Sequence, residues 1–117
     1  MKQYDKKNAF AKILRGELST NKIYEDEQIL CFEDATPATD VHWLIIPKGD
    51  YISFDDFTKN ATPEEIASFF QSIAKIARIH GLDKKGYKLV TNNGAAVGQS
   101  VFHFHVHLLS GNGLTHL

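Results

Sequence analysis

The sequence predicts an α+β domain built around a mainly antiparallel sheet of five strands with two helices, and three observations lead there. Two segments carry apolar residues at helical spacing between start and stop signals. Five short segments are rich in branched and aromatic residues, as strands are. The order α-β-β-β-α-β-β places strands next to strands, which suits hairpins better than repeated strand–helix–strand crossovers. At 117 residues the chain is expected to form one domain, residues 1–117, with a core that needs no disulfide framework.

Residues 8–15 place Phe10, Ile13 and Leu14 at i, i+3 and i+4, with Asn8 as N-cap and Gly16 as the stop. Residues 22–25 and 29–33 are apolar segments separated by Asp26-Glu27-Gln28 and read as a hairpin. Residues 41–46, between Pro37 and Pro47, suit a buried strand. The second helix has the clearest start. Thr62-Pro63-Glu64-Glu65 supplies an N-cap, a proline at the first helical position and a capping-box glutamate. Ile66, Phe69, Phe70, Ile73, Ile76 and Ala77 then form one apolar stripe, and Gly81 after His80 ends the helix. Residues 87–92 and 101–109 are the last two strands, joined by a loop of small residues.

Composition narrows the function. Lys and Arg number 13 against 14 Asp and Glu, a net charge of -1, so the broad basic face that a nucleic-acid polymer needs is not expected. No apolar run approaches the ~20 residues of a membrane span. A single cysteine, Cys31, and a polar first stretch from Met1 to Lys7 lead us to expect a cytosolic protein.

Six histidines remain to be explained, and three of them fall in His103-Phe104-His105-Val106-His107-Leu108-Leu109. Chance produces such a triplet somewhere in a chain of this composition with a probability of about 0.015. In a strand the three imidazoles share one face while Phe104, Val106 and Leu108 face the core. A polar face that uses histidine, or a hydrogen-bonded ladder, is the plain alternative. A metal site is a second one. At about 3.3 Å per residue, the outer two histidines of a straight strand stand about 13 Å apart, so all three cannot meet on one ion unless the strand bends. No CxxC or HExxH pattern accompanies them. Catalysis fits better: a neutral imidazole is a nucleophile, while other imidazoles hold phosphate oxygens and protonate leaving groups. The loop Gly94-Ala95-Ala96-Val97-Gly98-Gln99-Ser100 offers backbone N–H groups, one amide and one hydroxyl beside that row.

These residues resemble the histidine triad (HIT) superfamily, whose signature His-φ-His-φ-His-φ-φ is matched at every position by residues 103–109. Residues 10–17, 32–34, 42–48, 92–94 and 98–100 are similar to stretches of its Hint branch. The resemblance implies a HIT-like fold, with a homodimer whose two sheets join. It implies a purine nucleoside phosphoramidase that cleaves the P–N bond of adenosine or guanosine 5′-phosphoramidates and related aminoacyl adenylates, with no cofactor and no metal. By the same resemblance, His105 attacks the α-phosphorus and forms a nucleotidyl-histidine, His107 holds a phosphate oxygen and Ser100 sits at the leaving group. His103 and His42 orient the site, and Gln99 and Asn92 line the phosphate pocket. Asp34 accepts from the ribose hydroxyls, and Phe10, Ile13, Leu18, Phe32 and Ala35 enclose the base of an AMP or GMP moiety. Periodicity alone makes Phe10, Ile13, Leu18 and Phe32 core residues, Asp34 a turn former and His42 a structural histidine. His80 and His116 match no family position and read as surface residues. The chain departs from the pattern at Asp40 and Asp50, and residues 113–117 lack the tryptophan-containing tail of animal Hint proteins, which looks more like a bacterial relative. A non-catalytic purine-nucleotide binding module that regulates a partner, using the same pocket, is the alternative function.

Overall fold

The computed structural model describes residues 3–116; Met1, Lys2 and Leu117, which belong to the expected domain and its polar first and last stretches, lie outside the described residues. Five antiparallel strands form one sheet in the order β1-β2-β3-β5-β4, with β1 Lys22–Glu25, β2 Ile29–Glu33, β3 Val41–Pro47, β4 Lys88–Val90 and β5 Val106–Ser110. The expected hairpin closes where Asp26 Oδ1 accepts from the N–H groups of Gln28 and Ile29 at 2.8 and 2.9 Å.

Helix α1 spans Ala9–Leu14, and the Asn8 side chain caps it by accepting from Ala11 N–H, a contact worth about 1 kcal/mol. The capping box forms at the start of helix α3, Pro63–Ile79, between Thr62 and Glu65. His80 is its C-cap and Gly81 follows at φ 72°, the left-handed conformation in which glycine is least costly. Two short helices accompany the two expected ones: α2, Phe54–Asn60, capped by Ser53, and α4, Leu82–Lys85. Of the apolar stripe on α3, Phe70 turns outward and is exposed, whereas Phe69, Ile73, Ile76 and Ala77 are buried.

Alternate residues of the strands separate two cores. Ile29, Cys31, Trp43, Ile45, Val106 and Leu108 pack with Phe57 of α2 and with Phe69, Ile73, Ile76 and Ala77 of α3. Leu30, Phe32, Leu44 and Ile46 face the other way and pack with Phe10, Ile13 and Leu14 of α1. The helical layers thus lie on opposite faces, and β3 is buried along nearly its whole length, as its apolar sequence requires. Among the described residues, no helix is long and apolar enough to cross a membrane.

The last two strands are shorter than the sequence predicts. The alternation of histidine with apolar residues begins at His103, but the backbone over 101–105 is not part of the ladder, and β5 begins only at Val106. Its hydrogen-bonding groups are claimed elsewhere: Phe104 N–H donates to Tyr51 C=O at 2.7 Å, and the Thr91 hydroxyl donates to His105 C=O at 2.8 Å. His103 and His105 therefore precede the strand, and only His107 lies on it.

Candidate active site

The face of the sheet turned toward α1 carries a cavity of about 550 Å³, within the roughly 300–1,000 Å³ typical of small-molecule sites. Phe10, Ile13, Leu18, Phe32 and Leu44 form its apolar wall, and Asp34, Asn92, Ser100, His105 and His107 bring polar groups to it. Ala35, also expected, lies on its rim beside Thr36. Phe10 and Phe32 serve in the core and in the cavity wall at once, so the two readings of these residues are not exclusive.

Strand register brings the histidines together. In the β3–β5 pairing Leu44 opposes His107 and His42 opposes Leu109, so His42 and His107 are diagonal neighbours on one face. Their rings stand 5.2 Å apart, and His42 Nε2 lies 2.9 Å from His107 Nδ1. His105, two residues before His107, has its ring 5.1 Å from that of His107 and 4.9 Å from the Phe10 ring.

The hydrogen bonds fix which nitrogen of each ring carries the proton. A carbonyl can only accept, so the 2.7 Å contact of His105 Nδ1 with His103 C=O puts the proton on Nδ1 and leaves Nε2 with a lone pair. Ala38 N–H donates to His42 Nδ1 at 3.0 Å, which puts the proton of His42 on Nε2. That proton points to His107 Nδ1, so the proton of neutral His107 is on Nε2. Among the described residues no protein group bonds Nε2 of His105 or of His107, and no buried side-chain nitrogen or oxygen lacks a partner, so both atoms open into the cavity. The site therefore presents a lone pair and an N–H side by side.

Burial favours the neutral forms of His105, His107 and His103. It lowers the pKa of His105, against the opposing effect of the His103 carbonyl. It pushes His107 down to about 4, helped by the nearby His105 and His42. His103 is lowered for the same reason and is fully buried. His103 does not line the cavity; it acts through its carbonyl on His105.

Gln99 also lies behind the wall. Its amide oxygen accepts from Gly94 N–H at 2.8 Å, and its amide nitrogen donates to Ile52 C=O at 2.7 Å and to Val101 C=O at 3.2 Å. The side chain is 4 % exposed and clamps the loop that presents Ser100, with no amide group left free for a ligand. Asn92 lines the cavity while donating to Val97 C=O at 2.9 Å. Between them the loop runs through Ala95–Val97 and then Gly98 at φ 98°, a conformation that disfavours any side chain.

Asp34 sits where β2 gives way to a turn. Its Oδ1 accepts from Thr36 N–H at 2.9 Å, as its turn-former reading predicts, and its Oδ2 lies 3.4 Å from His42 Nε2. Asp34, His42 and His107 are thus close enough to surround a cation. The donor set does not fit one. A metal needs the lone pair of His42 Nε2, yet the Ala38 N–H already takes the lone pair on Nδ1, and neutral imidazole has only one.

Sequence reasoning does not anticipate Tyr4, whose hydroxyl meets His103 Nδ1 at 2.6 Å, nor Ser19, Thr20 and Glu33 on the cavity rim. The first signal was absent because the contact spans 99 residues.

Comparison with known proteins gives concordant results. The HIT domain family matches residues 15–114. An uncharacterised HIT-like protein of Rickettsia prowazekii is 50% identical over 111 residues, covering 95% of this chain and 92% of that protein. A 14 kDa zinc-binding protein of Zea mays is 40% identical over 112 residues, covering 92% of this chain and 84% of its own. The solved structure of a HIT family hydrolase from Clostridium thermocellum superposes with a TM-score of 0.83 at 35% identity, covering 97% of each chain.

Proposed function

The chain belongs to the HIT domain family, and from that premise we propose that it is a nucleoside phosphoramidase of Hint type, acting on purine nucleoside 5′-phosphoramidates with His105 as nucleophile. One observation carries the reading: the unprotonated Nε2 of His105 opens, next to the Nε2–H of His107, into a cavity of nucleoside size. In the first step His105 Nε2 forms a bond to phosphorus, the P–N bond of the substrate breaks, and the departing amine takes a proton from a water molecule beside Ser100. In the second step the hydroxide left from that water attacks the phosphorus, the His105–P bond breaks, and the nucleoside monophosphate leaves. Two easier steps replace one difficult displacement.

His107 Nε2–H donates to a non-bridging phosphate oxygen, and the charge developing there is met by a preorganised donor. His42 and His103 hold the rings of His107 and His105, Asp34 takes the sugar hydroxyls, and Asn92 with the Gln99-clamped loop borders the phosphate. The base lies among Phe10, Ile13, Leu18, Phe32 and Ala35. The protein acts as a single HIT domain in the cytosol. Its homodimer forms along β4, an outer strand with β5 on one side only and Leu89 exposed.

The name of the maize relative raises a zinc reading for this chain, and the proton on His42 Nε2 argues against it. Steady-state hydrolysis of a fluorogenic adenosine phosphoramidate tests the activity. Turnover with AMP found on His105 in a quenched reaction supports it; AMP binding without hydrolysis of any phosphoramidate favours the nucleotide-binding regulatory module instead.

A further inference from the structure

Resting on the nucleotide reading of the cavity, we propose that His42 couples its two ends. Through it, vicinal sugar hydroxyls at Asp34 strengthen phosphate recognition by His107, so ribonucleotides are selected at the phosphate as well as at the sugar.

His42 has one proton to give and two acceptors for it. Its Nδ1 is occupied by Ala38 N–H at 3.0 Å, so the proton is confined to Nε2. From there His107 Nδ1 is 2.9 Å away and Asp34 Oδ2 is 3.4 Å away. The ring is 8 % exposed, so water does not supply a third partner on equal terms. A single N–H shared between two acceptors bonds each less well than it would bond one. Asp34 Oδ1 is already taken by Thr36 N–H at 2.9 Å, so the free acceptor capacity of the carboxylate is concentrated on Oδ2, the oxygen that competes for His42.

A ribose diol changes the competition. Hydroxyls donating to Asp34 occupy Oδ2 and reduce its pull on the His42 proton, which then goes fully to His107 Nδ1. That bond fixes the His107 ring and keeps its own proton on Nε2, the atom open to the cavity. A ligand without the diol leaves the proton divided and His107 less firmly held. Sugar and phosphate are then bound cooperatively, and the free energy linking them passes through a side chain that touches neither directly. His42 is a positioning residue in this scheme.

Calorimetric titration of adenosine, AMP, 2′,3′-dideoxyadenosine and 2′,3′-dideoxy-AMP into the full chain reads the coupling without requiring turnover. The quantity of interest is the gain in affinity on adding the phosphate, with and without the diol. In the wild type that gain is expected to be about tenfold larger with the diol. In His42→Asn the amide oxygen still accepts from Ala38 N–H but no donor reaches His107, and the two gains become equal. In His42→Gln the longer side chain returns an N–H near the position of Nε2, and part of the difference is restored. Asp34→Asn provides the same reading if His42→Asn fails to fold, because it removes the competing charge while keeping the shape; the two gains should again converge. Equal gains in the wild type overturn the coupling while leaving the nucleotide site standing, and so does a difference that survives in His42→Asn. Absence of binding by all four ligands overturns the nucleotide reading and the coupling with it.

Discussion

The Tyr4 hydroxyl stands 2.6 Å from His103 Nδ1, joining the N-terminal segment to a ring 99 residues away that is itself fully buried. His103 Nε2 lies 2.7 Å from Pro47 C=O, so its proton is there and Nδ1 must accept from the tyrosine. The carbonyl of His103 in turn accepts the Nδ1–H of His105. Two hydrogen bonds, joined through the covalent frame of His103, therefore link Tyr4 to Nδ1 of His105, the nitrogen on the far side of the ring from the one that faces the cavity.

Tyr4→Phe should remove the donor that His103 Nδ1, a buried acceptor, has among the described residues, at a cost of about 1–3 kcal/mol measured by urea unfolding. Turnover should fall severalfold with AMP affinity little changed, because the tyrosine does not line the cavity. A stability equal to wild type would mean that the hydroxyl contributes nothing to holding His103.

His105→Ala should lower phosphoramidate turnover by ~10³-fold or more while AMP binding stays measurable by titration, since a nucleophile cannot be replaced by its neighbours. Near-normal turnover in this variant would exclude His105 from bond formation.

Acid should destabilise the fold through its buried histidines. His103, His105 and His107 all have pKa values lowered by burial, His107 to about 4. Below the ordinary imidazole value of 6.5 the unfolded chain takes up protons that the folded rings refuse. Stability is therefore full above that pH and declines as pH falls from 6.5 toward about 4. Chemical denaturation across this range reads the slope, and a flat profile would contradict neutral buried rings.

Cys31 is fully buried and its thiol is pushed up to about 12 by burial. Its labelling by a thiol reagent at neutral pH should be slow and should rise with denaturant in parallel with global unfolding. Rapid labelling of the native protein would reveal local opening of β2.

Gln99→Ala should break three hydrogen bonds that clamp the loop 94–100 and lower turnover and AMP affinity together, because Ser100 and Asn92 lose their support. A loss of stability of about 1–3 kcal/mol is expected alongside. Unaltered kinetics would show that the loop keeps its shape through its own backbone.

Where local chemistry decides a structure, the sequence was sufficient. Thr62, Pro63 and Glu65 set the start of α3, Asn8 that of α1, and Asp26 the hairpin turn, because each acts on backbone groups within three residues. Helix α2 carries little sequence signal of its own, since its one buried residue, Phe57, makes no stripe and its cap is a lone serine. The strand expected over residues 101–109 went wrong for an informative reason. Alternation persists through His103 and His105, yet the carbonyls of both are withdrawn from the sheet to serve a ring and a hydroxyl. The resemblance picked out ten residues that do line the cavity and assigned His103 and His42 to orienting it; it could not show that Gln99 stands behind the wall, because that depends on distant partners such as Ile52.

The two cores on alternate residues of the same strands carry a consequence for how the protein can fail. Leu108 belongs beneath α3 and His107 toward α1, so a slip of β5 by one residue would exchange them, driving an imidazole into the larger core and a leucine into the cavity. Pairing errors are therefore all-or-nothing, and no partly mispaired form keeps a working pocket. Selection for the chemistry on one side polices the alignment of the whole sheet.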